Sequence, residues 1–268
     1  MIQIKTADEI ARMRVAGLVV CRTLQKMREA VRPGISTADL DDIARDALKA
    51  EGATPSFLGY RGFPAHICAS VNEEVVHGIP RPDKLLREGD VLSIDFGAIV
   101  DGWHGDSAIT VPVGEVAPEY LELMRVCEES MWAGLAAGRP GGKLGDISNA
   151  VERSIRGNGP YGIVDHYGGH GIGTEMHQEP HVLNYGRPGR GPRLLPGLCL
   201  AIEPMVTMSG PDTRELADGW TVVTSDGSYA AHFEHTMAIT EDGPWVLTAE
   251  DGGEAKLAEY GVTVPART

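Results

Sequence analysis

Two kinds of residue in this chain carry the chemistry of a site. The segment HYGGHGIGTEMHQEPH, residues 166 to 181, holds four of the nine histidines together with four glycines. Imidazole titrates near neutrality and ligates metals, and glycine lets backbone approach a ligand without steric cost. The second kind is acidic. Asp95 and Asp106 flank the turn-forming dipeptide Asp101-Gly102. If that dipeptide closes a two-residue hairpin, residues whose numbers sum to 203 pair across it, so Asp95 faces Ala108 and Asp106 faces Gly97. The two carboxylates then share a face as diagonal neighbours, about 7–8 Å apart at their bases. Like charges so placed repel, and one pKa rises unless a cation joins them. Taken alone, the pair also fits a solvent-facing hairpin edge. Glu203 in CLAIEPMV and Glu234 in AAHFEHTMAI are isolated acids within apolar, strand-like runs. A buried carboxylate is costly unless paired or coordinated, although either glutamate alone fits a salt bridge or an edge strand. Together, four acids and a glycine-flanked histidine suit two divalent cations bridged by carboxylates.

Helices and strands must hold these groups in place. Thr6-Ala7-Asp8-Glu9 reads as a capping box. Behind it Ile10, Met13, Gly17, Val20, Leu24, Met27 and Val31 mark one buried helical face, which Arg32-Pro33-Gly34 ends. A second helix is predicted from Ser36 to about Glu51, burying Leu40, Ile43, Ala47 and Leu48. The stretch VRPGISTADLDDIA, residues 31 to 44, can be laid over GRPGGKLGDISNAV, residues 138 to 151, at a constant offset of 107. Each copy follows a long helical segment, the later one running from Pro118 to about Ala137, and each precedes another helix. The match implies pseudo-repeated halves, roughly 6–113 and 118–247, with a cleft between them that suits a site. Strand-like segments VLSIDFGAIV, SAITVPVG, LCLAIEPMVT, WTVVTS and AAHFEHTMAIT follow the helices, and Asp226-Gly227 is a further hairpin signal. The loop GRPGRGPRLLPG, residues 186 to 197, is too short for an interdomain linker, and the polar residues 248–268 read as a peripheral tail. One α+β domain across 1–268 is expected.

Composition narrows the partners. The 268 residues are 42% hydrophobic and 23% charged, which is ordinary for a globular chain that can bury a core. A net charge of −14 speaks against a nucleic-acid backbone as partner. No stretch approaches the ~20 apolar residues that cross a bilayer, and the N-terminus lacks an apolar signal core. Cys21, Cys68, Cys127 and Cys199 are scattered without a C-x-x-C pair, as expected of reduced thiols in the cytoplasm. A monomer is the default expectation.

Asp95, Asp106, His170, Glu203 and Glu234, in this order and at these spacings, resemble the five metal ligands of the methionine aminopeptidases. The motifs VNEEVVHGIP (71–80), SIDFGAIVDGWHGD (93–106), GGHGIG (168–173), AIEPMV (201–206) and FEHT (233–236) carry the likeness. It runs from the N-terminal helix to about Leu247, without a long N-terminal extension, as in type I members. The resemblance implies the pita-bread, creatinase/aminopeptidase-like α+β fold, with two pseudo-symmetric halves around a dimetal cleft. It implies removal of the initiator methionine from nascent or short peptides whose second residue is small, near the ribosome. Asp106 and Glu234 would bridge two divalent cations (Co, Mn, Fe, Ni or Zn), Asp95 would chelate one, and His170 and Glu203 would complete the other. A hydroxide activated by the cations would attack the scissile carbonyl, with Glu203 moving the proton.

The same resemblance gives His77 and His177 contacts to substrate or to the tetrahedral intermediate. It builds the methionine pocket from Phe57, Tyr60, Phe63, Cys68, Met176 and Trp220. Met176 stands where many relatives carry phenylalanine, Phe57 where some carry cysteine, and Arg61 replaces a frequent histidine beside the pocket. His166 and His181 are expected to be structural or exposed. By strand alternation His235 points away from Glu234, and His104 shares a face with Asp106. An X-Pro aminopeptidase or prolidase of the same fold is the nearest alternative, followed by a non-catalytic binding module.

Overall fold

The computed structural model describes residues 2–264. Helix α1 spans Ala7–Ala30, and its first turn is closed by the capping box: the Thr6 hydroxyl accepts the Glu9 N–H at 3.3 Å, and the Glu9 carboxylate accepts the Thr6 N–H at 2.7 Å. Helix α2 spans Thr37–Glu51 with Ser36 as its cap. Leu40, Ala47 and Leu48 are buried as expected, but Ile43 is only half-buried, and Ala44 takes the inner position that the 3.6-residue period favours. In the second half, α3 spans Pro118–Ala137 and α4 spans Leu144–Asn158.

The offset of 107 is written into the backbone as well as the letters. The N–H of Gly34 donates to the carbonyl of Leu86 at 2.8 Å, and that of Gly141 to the carbonyl of Leu194 at 2.8 Å. Leu86 answers with a bond to Ile35, and Leu194 with one to Gly142, both 2.9 Å. Asp39 accepts the Ser36 N–H, and Asp146 accepts the Lys143 N–H, at the starts of α2 and α4. One inserted residue separates the two patterns, since the helix starts differ by 107 and the leucines by 108.

A nine-stranded sheet carries both helix pairs. Its strands, in chain order, are β1 (Thr54–Pro55), β2 (Ile67–Val71), β3 (Val91–Val100), β4 (Trp103–Pro112) and β5 (Gly169–Gly171), then β6 (Gln178–Val182), β7 (Cys199–Ile202), β8 (Glu234–Thr240) and β9 (Gly243–Val246). The spatial order is β1-β3-β4-β8-β7-β5-β6, with β2 added to β3 and β9 to β8. The β4–β8 contact joins the strands of the first half to those of the second. Phe96, Ile94 and Leu92 pack beneath α1 and α2, while Leu200, Ile202, Met237 and Ile239 pack beneath α3 and α4. Each such side chain, once fully buried, contributes roughly 1.5–3 kcal/mol. By alternation, the odd residue of β3 between Ile94 and Phe96, namely Asp95, is turned to the face that the helices leave open.

Two expected strands are split. LCLAIEPMVT becomes β7 and a short strand at Met205–Thr207, and AAHFEHTMAIT becomes a short strand at Ala230–His232 followed by β8. The short pieces pair with each other in a separate three-stranded sheet. Proline at 204 has no N–H to continue a ladder. Asp226-Gly227 does turn the chain, with Ser228 N–H on the Asp226 carboxylate at 2.9 Å. It is not a hairpin, because Val222–Thr224 and Ala230–His232 belong to different small sheets.

After β9, residues up to 264 include a short helix, Glu254–Glu259, and Tyr260 donates from its hydroxyl to the Glu129 carbonyl of α3 at 3.0 Å. The last part of the expected tail, 265–268, lies outside the described residues. Among the described residues no helix is long and apolar enough to cross a membrane.

Candidate active site

Four acids converge on the open face of the sheet through strand register. Across the Asp101-Gly102 turn Asp95 pairs with Ala108 and Gly97 with Asp106, the register the turn predicts. Both turn residues have positive φ, 48° and 81°, as this hairpin type demands. Ala108 also pairs with Glu234 of β8. One row across the sheet therefore reads Cys68, Asp95, Ala108, Glu234, and the small alanine leaves room between the two acids. Asp106, two residues before Ala108, shares that face. Its backbone N–H reaches the Thr236 hydroxyl at 3.2 Å, and that hydroxyl donates to the Asp106 carbonyl at 2.7 Å.

A second register supplies the glutamates. Partners in β7 and β8 sum to 437, as in His235 with Ile202, and partners beyond the breaks sum to 437 again, as in His232 with Met205. The common register sets Glu203 opposite Glu234 where the ladder opens between the two sheets. His170 joins them from β5, paired with Ala201. The glycines on either side of it are required by close approach: a Cβ at Gly169 would lie 2.1 Å from the Ala201 carbonyl oxygen, and one at Gly171 would lie 2.2 Å from that of Glu179.

The side chains meet at short range. His170 Nε2 lies 3.5 Å from Glu203 Oε1 and 4.0 Å from both Asp106 Oδ2 and Glu234 Oε1. His170 Nδ1 is 3.0 Å from the Gly171 carbonyl, which accepts its proton and leaves the Nε2 lone pair aimed at the acids. Burial holds that imidazole neutral, with its pKa pulled down to about 3. Asp106 is pushed up to about 7 by burial. Burial and then the Asp106 charge raise Asp95, and burial followed by neighbouring carboxylates raises Glu203 and Glu234. Asp95 Oδ1, Asp106 Oδ1 and Glu234 Oε1 are buried without a hydrogen-bond partner. Oxygen atoms shielded from water and offered no protein donor are what a hard divalent cation needs, and the neutral imidazole completes a mixed O,N set. The residues fit a metal centre.

Above this floor opens a cavity of about 900 Å³. Phe57, Phe63, Cys68 and Met176 are buried in one apolar cluster, with Tyr60 and Trp220 packed against it. Phe63 meets Trp220 edge-on at 5.1 Å and Phe57 at 6.5 Å. His177 stands over His170 with ring centroids 4.3 Å apart, and its Nδ1 is 2.8 Å from the Tyr60 hydroxyl. Burial lowers His177 to about 4, helped by the Arg61 charge. His77, on the other wall, lies edge-on to Tyr167 and Trp220 and adopts φ of 62°. A non-glycine residue held there stores strain of order 1–3 kcal/mol, a pattern that clusters at functional sites.

The remaining histidines separate cleanly. His166 and His181 are exposed, His166 beside Asp165 at 3.4 Å, and both line the cavity without joining the acids. His235 turns away from Glu234 to the Thr248 hydroxyl at 2.8 Å. His104 is buried, but its Nδ1 is taken by Ser56 at 2.9 Å and it does not line the cavity. Sequence reasoning missed His232. It is buried, with Nε2 3.3 Å from Glu203 Oε2, and with Glu203 and Glu234 it forms a second group able to hold a cation. The signal was present, since His232 precedes Glu234 by two and strand alternation puts both on one face. Asn184 was missed too; its amide donates to the Glu203 carbonyl at 3.0 Å.

Comparison with known proteins agrees with this geometry. The model of metallopeptidase family M24 matches residues 11–241. A methionine aminopeptidase of Clostridium acetobutylicum is 50% identical over 248 residues, covering 92% of this chain and 99% of that protein. Methionine aminopeptidase 1 of Bacillus subtilis is 49% identical over 248 residues with the same coverage. The crystal structure of methionine aminopeptidase from Rickettsia prowazekii superposes with a TM-score of 0.91 at 41% identity, over 93% of this chain and all of that one. A match that spans both halves, the four acids converging on the open face of the sheet and the imidazole among them lead to one assignment: the chain belongs to metallopeptidase family M24, in its methionine aminopeptidase branch.

Proposed function

We propose that this chain removes N-terminal methionine from nascent or short peptides whose second residue is small, by metal-dependent hydrolysis of the first peptide bond. The observation that carries the reading is the stacking of two surfaces: a floor of four carboxylates and a neutral imidazole lies under an apolar wall of aromatic rings, Cys68 and Met176. Aromatic rings and a flexible Met176 suit a methionine side chain, which gains from contact between its sulfur and ring edges.

Asp106 and Glu234 would bridge two divalent cations, Asp95 would complete one coordination sphere, and His170 with Glu203 the other. When bound, the cations polarise the scissile carbonyl and lower the pKa of water. Glu203 takes the proton of the attacking water and delivers it to the amine that leaves, so water is added across the C–N bond. His177 donates from Nε2 to the oxygen on which charge develops, its ring oriented by the Tyr60 hydroxyl. His77, rigidly held between Tyr167 and Trp220, contacts the bound peptide from the opposite wall. Phe57, Phe63, Cys68, Met176 and Trp220 enclose the methionine side chain and keep water from it. The reading carries with it a cytoplasmic, monomeric enzyme acting on newly made chains near the ribosome.

Metal-stripped protein tests this with Met-Ala-Ser, Met-Lys-Ser and Gly-Pro, before and after addition of Mn²⁺, Co²⁺ or Fe²⁺. Metal-dependent methionine release from the first peptide and little from the second is the expected result. Hydrolysis of Gly-Pro with Met-Ala-Ser intact would replace the reading by a prolidase activity. No hydrolysis with any cation by folded protein would leave only a binding role.

A further inference from the structure

Glu203 lies between two imidazoles that differ in what they offer it. His170 faces Oε1 at 3.5 Å with a bare Nε2, because its Nδ1 proton is held by the Gly171 carbonyl. His232 faces Oε2 at 3.3 Å with an Nε2 that is buried and has no hydrogen-bond partner. With no cation between them, a lone pair turned towards a carboxylate oxygen at this range would repel it. A proton on Nε2 turns the same contact into a charge-assisted hydrogen bond. That proton is present in the Nε2–H tautomer and in the imidazolium alike, so the contact does not depend on the charge of the ring. The contact is slightly long for a formed bond, as is common before substrate and cofactor close a site.

The backbone fixes His232 with unusual thoroughness. The Thr110 hydroxyl of β4 accepts the His232 N–H at 2.9 Å and donates to the His232 carbonyl at 2.7 Å. Register pairs His232 with Met205, so Glu203 is its diagonal neighbour, the relation that Asp106 has to Asp95. The residue is 1% exposed, and the acids within reach of its ring are Glu203 and Glu234.

We propose that His232 is a positioning residue for Glu203: its Nε2–H donates to Oε2, fixes the carboxylate plane, and leaves Oε1 as the oxygen that exchanges protons in the cleft. The inference rests on the aminopeptidase reading for the role of Glu203, but the hydrogen bond itself does not. It assigns to a histidine that no motif singled out a share in the rate of the chemical step rather than in substrate grip.

The test compares His232→Leu and His232→Gln in the metal-loaded protein. Leucine keeps the volume and removes the donor; glutamine places an amide nitrogen near the position of Nε2. The leucine variant is expected to lose about 10–100-fold in kcat on Met-Ala-Ser with Mn²⁺, the range for outer-sphere partners of metal ligands, with KM unchanged. The glutamine variant is expected to recover most of that loss. A leucine variant with wild-type kcat, or a folded glutamine variant as slow as the leucine one, would overturn the proposal. A rise in KM alone would overturn it as well, since that is a packing effect on the pocket. Nitrogen NMR of the Zn²⁺-loaded wild type gives a readout independent of turnover. A protonated Nε2 on His232 whose resonance moves in Glu203→Gln supports the bond, whereas a bare or zinc-bound Nε2 rules it out. If the wild type released no methionine with any cation, the aminopeptidase reading would fall and the NMR result would still decide the contact.

Discussion

The two halves of the molecule share a backbone plan and divide the site unequally. The first half gives Asp95 and Asp106 from one uninterrupted hairpin of ten residue pairs, together with most of the apolar wall, Phe57, Tyr60, Phe63 and Cys68. The second half gives Glu203 and Glu234 from places where strands leave one sheet for another, and it adds His170, His177 and His232. Where the ladder is unbroken, side chains are locked in position but can serve only as fixed anchors. Where it opens, Glu203 lies between the imidazoles of His170 and His232, the setting that the proposed proton transfer would use. On the proposed mechanism, the first half would hold and the second would react.

That contrast can be broken by substitution, and the largest expected effect lies in the second half. Glu203→Gln should lower kcat by about 10²–10⁴-fold, the usual worth of a general acid–base group, and excess metal should not restore it. Asp95→Asn should recover activity as Mn²⁺ is raised, because a lost anchor weakens affinity. Rate measurements across a Mn²⁺ titration separate the two, and equal recovery of both variants would erase the distinction. Next in size, His177→Ala should cost about 10²–10³-fold in kcat, as loss of an oxyanion donor does. Phe63→Ala from the first half should act mainly by raising KM for Met-Ala-Ser. If Phe63→Ala lowered kcat as much as His177→Ala, the wall would be shaping the reaction as well as the grip.

The part of the fold that sequence could reveal follows the same boundary. Thr6 and Glu9 announced α1, and Asp101-Gly102 fixed the partner of every residue in β3 and β4 by simple addition. Hairpin register is a local property, set by turn type and loop length. The meeting of Glu203 with Glu234 obeys an equally regular sum, yet their connection is long and carries no turn rule to reveal it. Proline at 204 hinted at the break in one strand, but nothing local marked the break at Phe233. His232 was hidden for a related reason: the apolar run AAHFEHTMAI reads as one strand, and its alternation was used for His235 but not carried back to His232. The methionine pocket came from resemblance alone, since Phe57 and Trp220 are far apart in sequence and meet only through tertiary packing.

Metal offers a sharper comparison at lower energy. The acids of both halves face each other with three buried oxygens unpartnered. Saturating the stripped protein with Mn²⁺ at 100 times its Kd should therefore raise stability by about 2.7 kcal/mol, seen as a higher Tm. Asp106→Asn should weaken the metal dependence. An amide can donate to Asp95 and removes a like charge, so the metal-free variant should be more stable than metal-free wild type, by about 1 kcal/mol, while gaining less from Mn²⁺. A metal-free variant less stable than wild type would mean that repulsion across the floor is already relieved by protonation. The smallest effect lies far from the site. Ser36→Ala should cost about 1 kcal/mol in urea denaturation, the ordinary value of an N-cap. Lys143→Ala at the equivalent position should change stability by no more than about 0.5 kcal/mol, because there the aspartate reaches a backbone N–H and no side-chain hydroxyl is lost.

The central contact of the sheet joins Ser107 and Ala108 to His235 and Glu234. In the order in which a ribosome makes the chain, the floor of the cleft therefore closes late, with β9 and the short helix Glu254–Glu259 still to follow. Contacts between such distant residues form late, because the long intervening loop must be ordered first. A chain stopped short of residue 230 would carry the aspartates of the first hairpin without the glutamate that faces them, and so could not present the full set of acids to a cation. On the proposed reading, a bound ion would stabilise the finished molecule more than a chain that lacks Glu234.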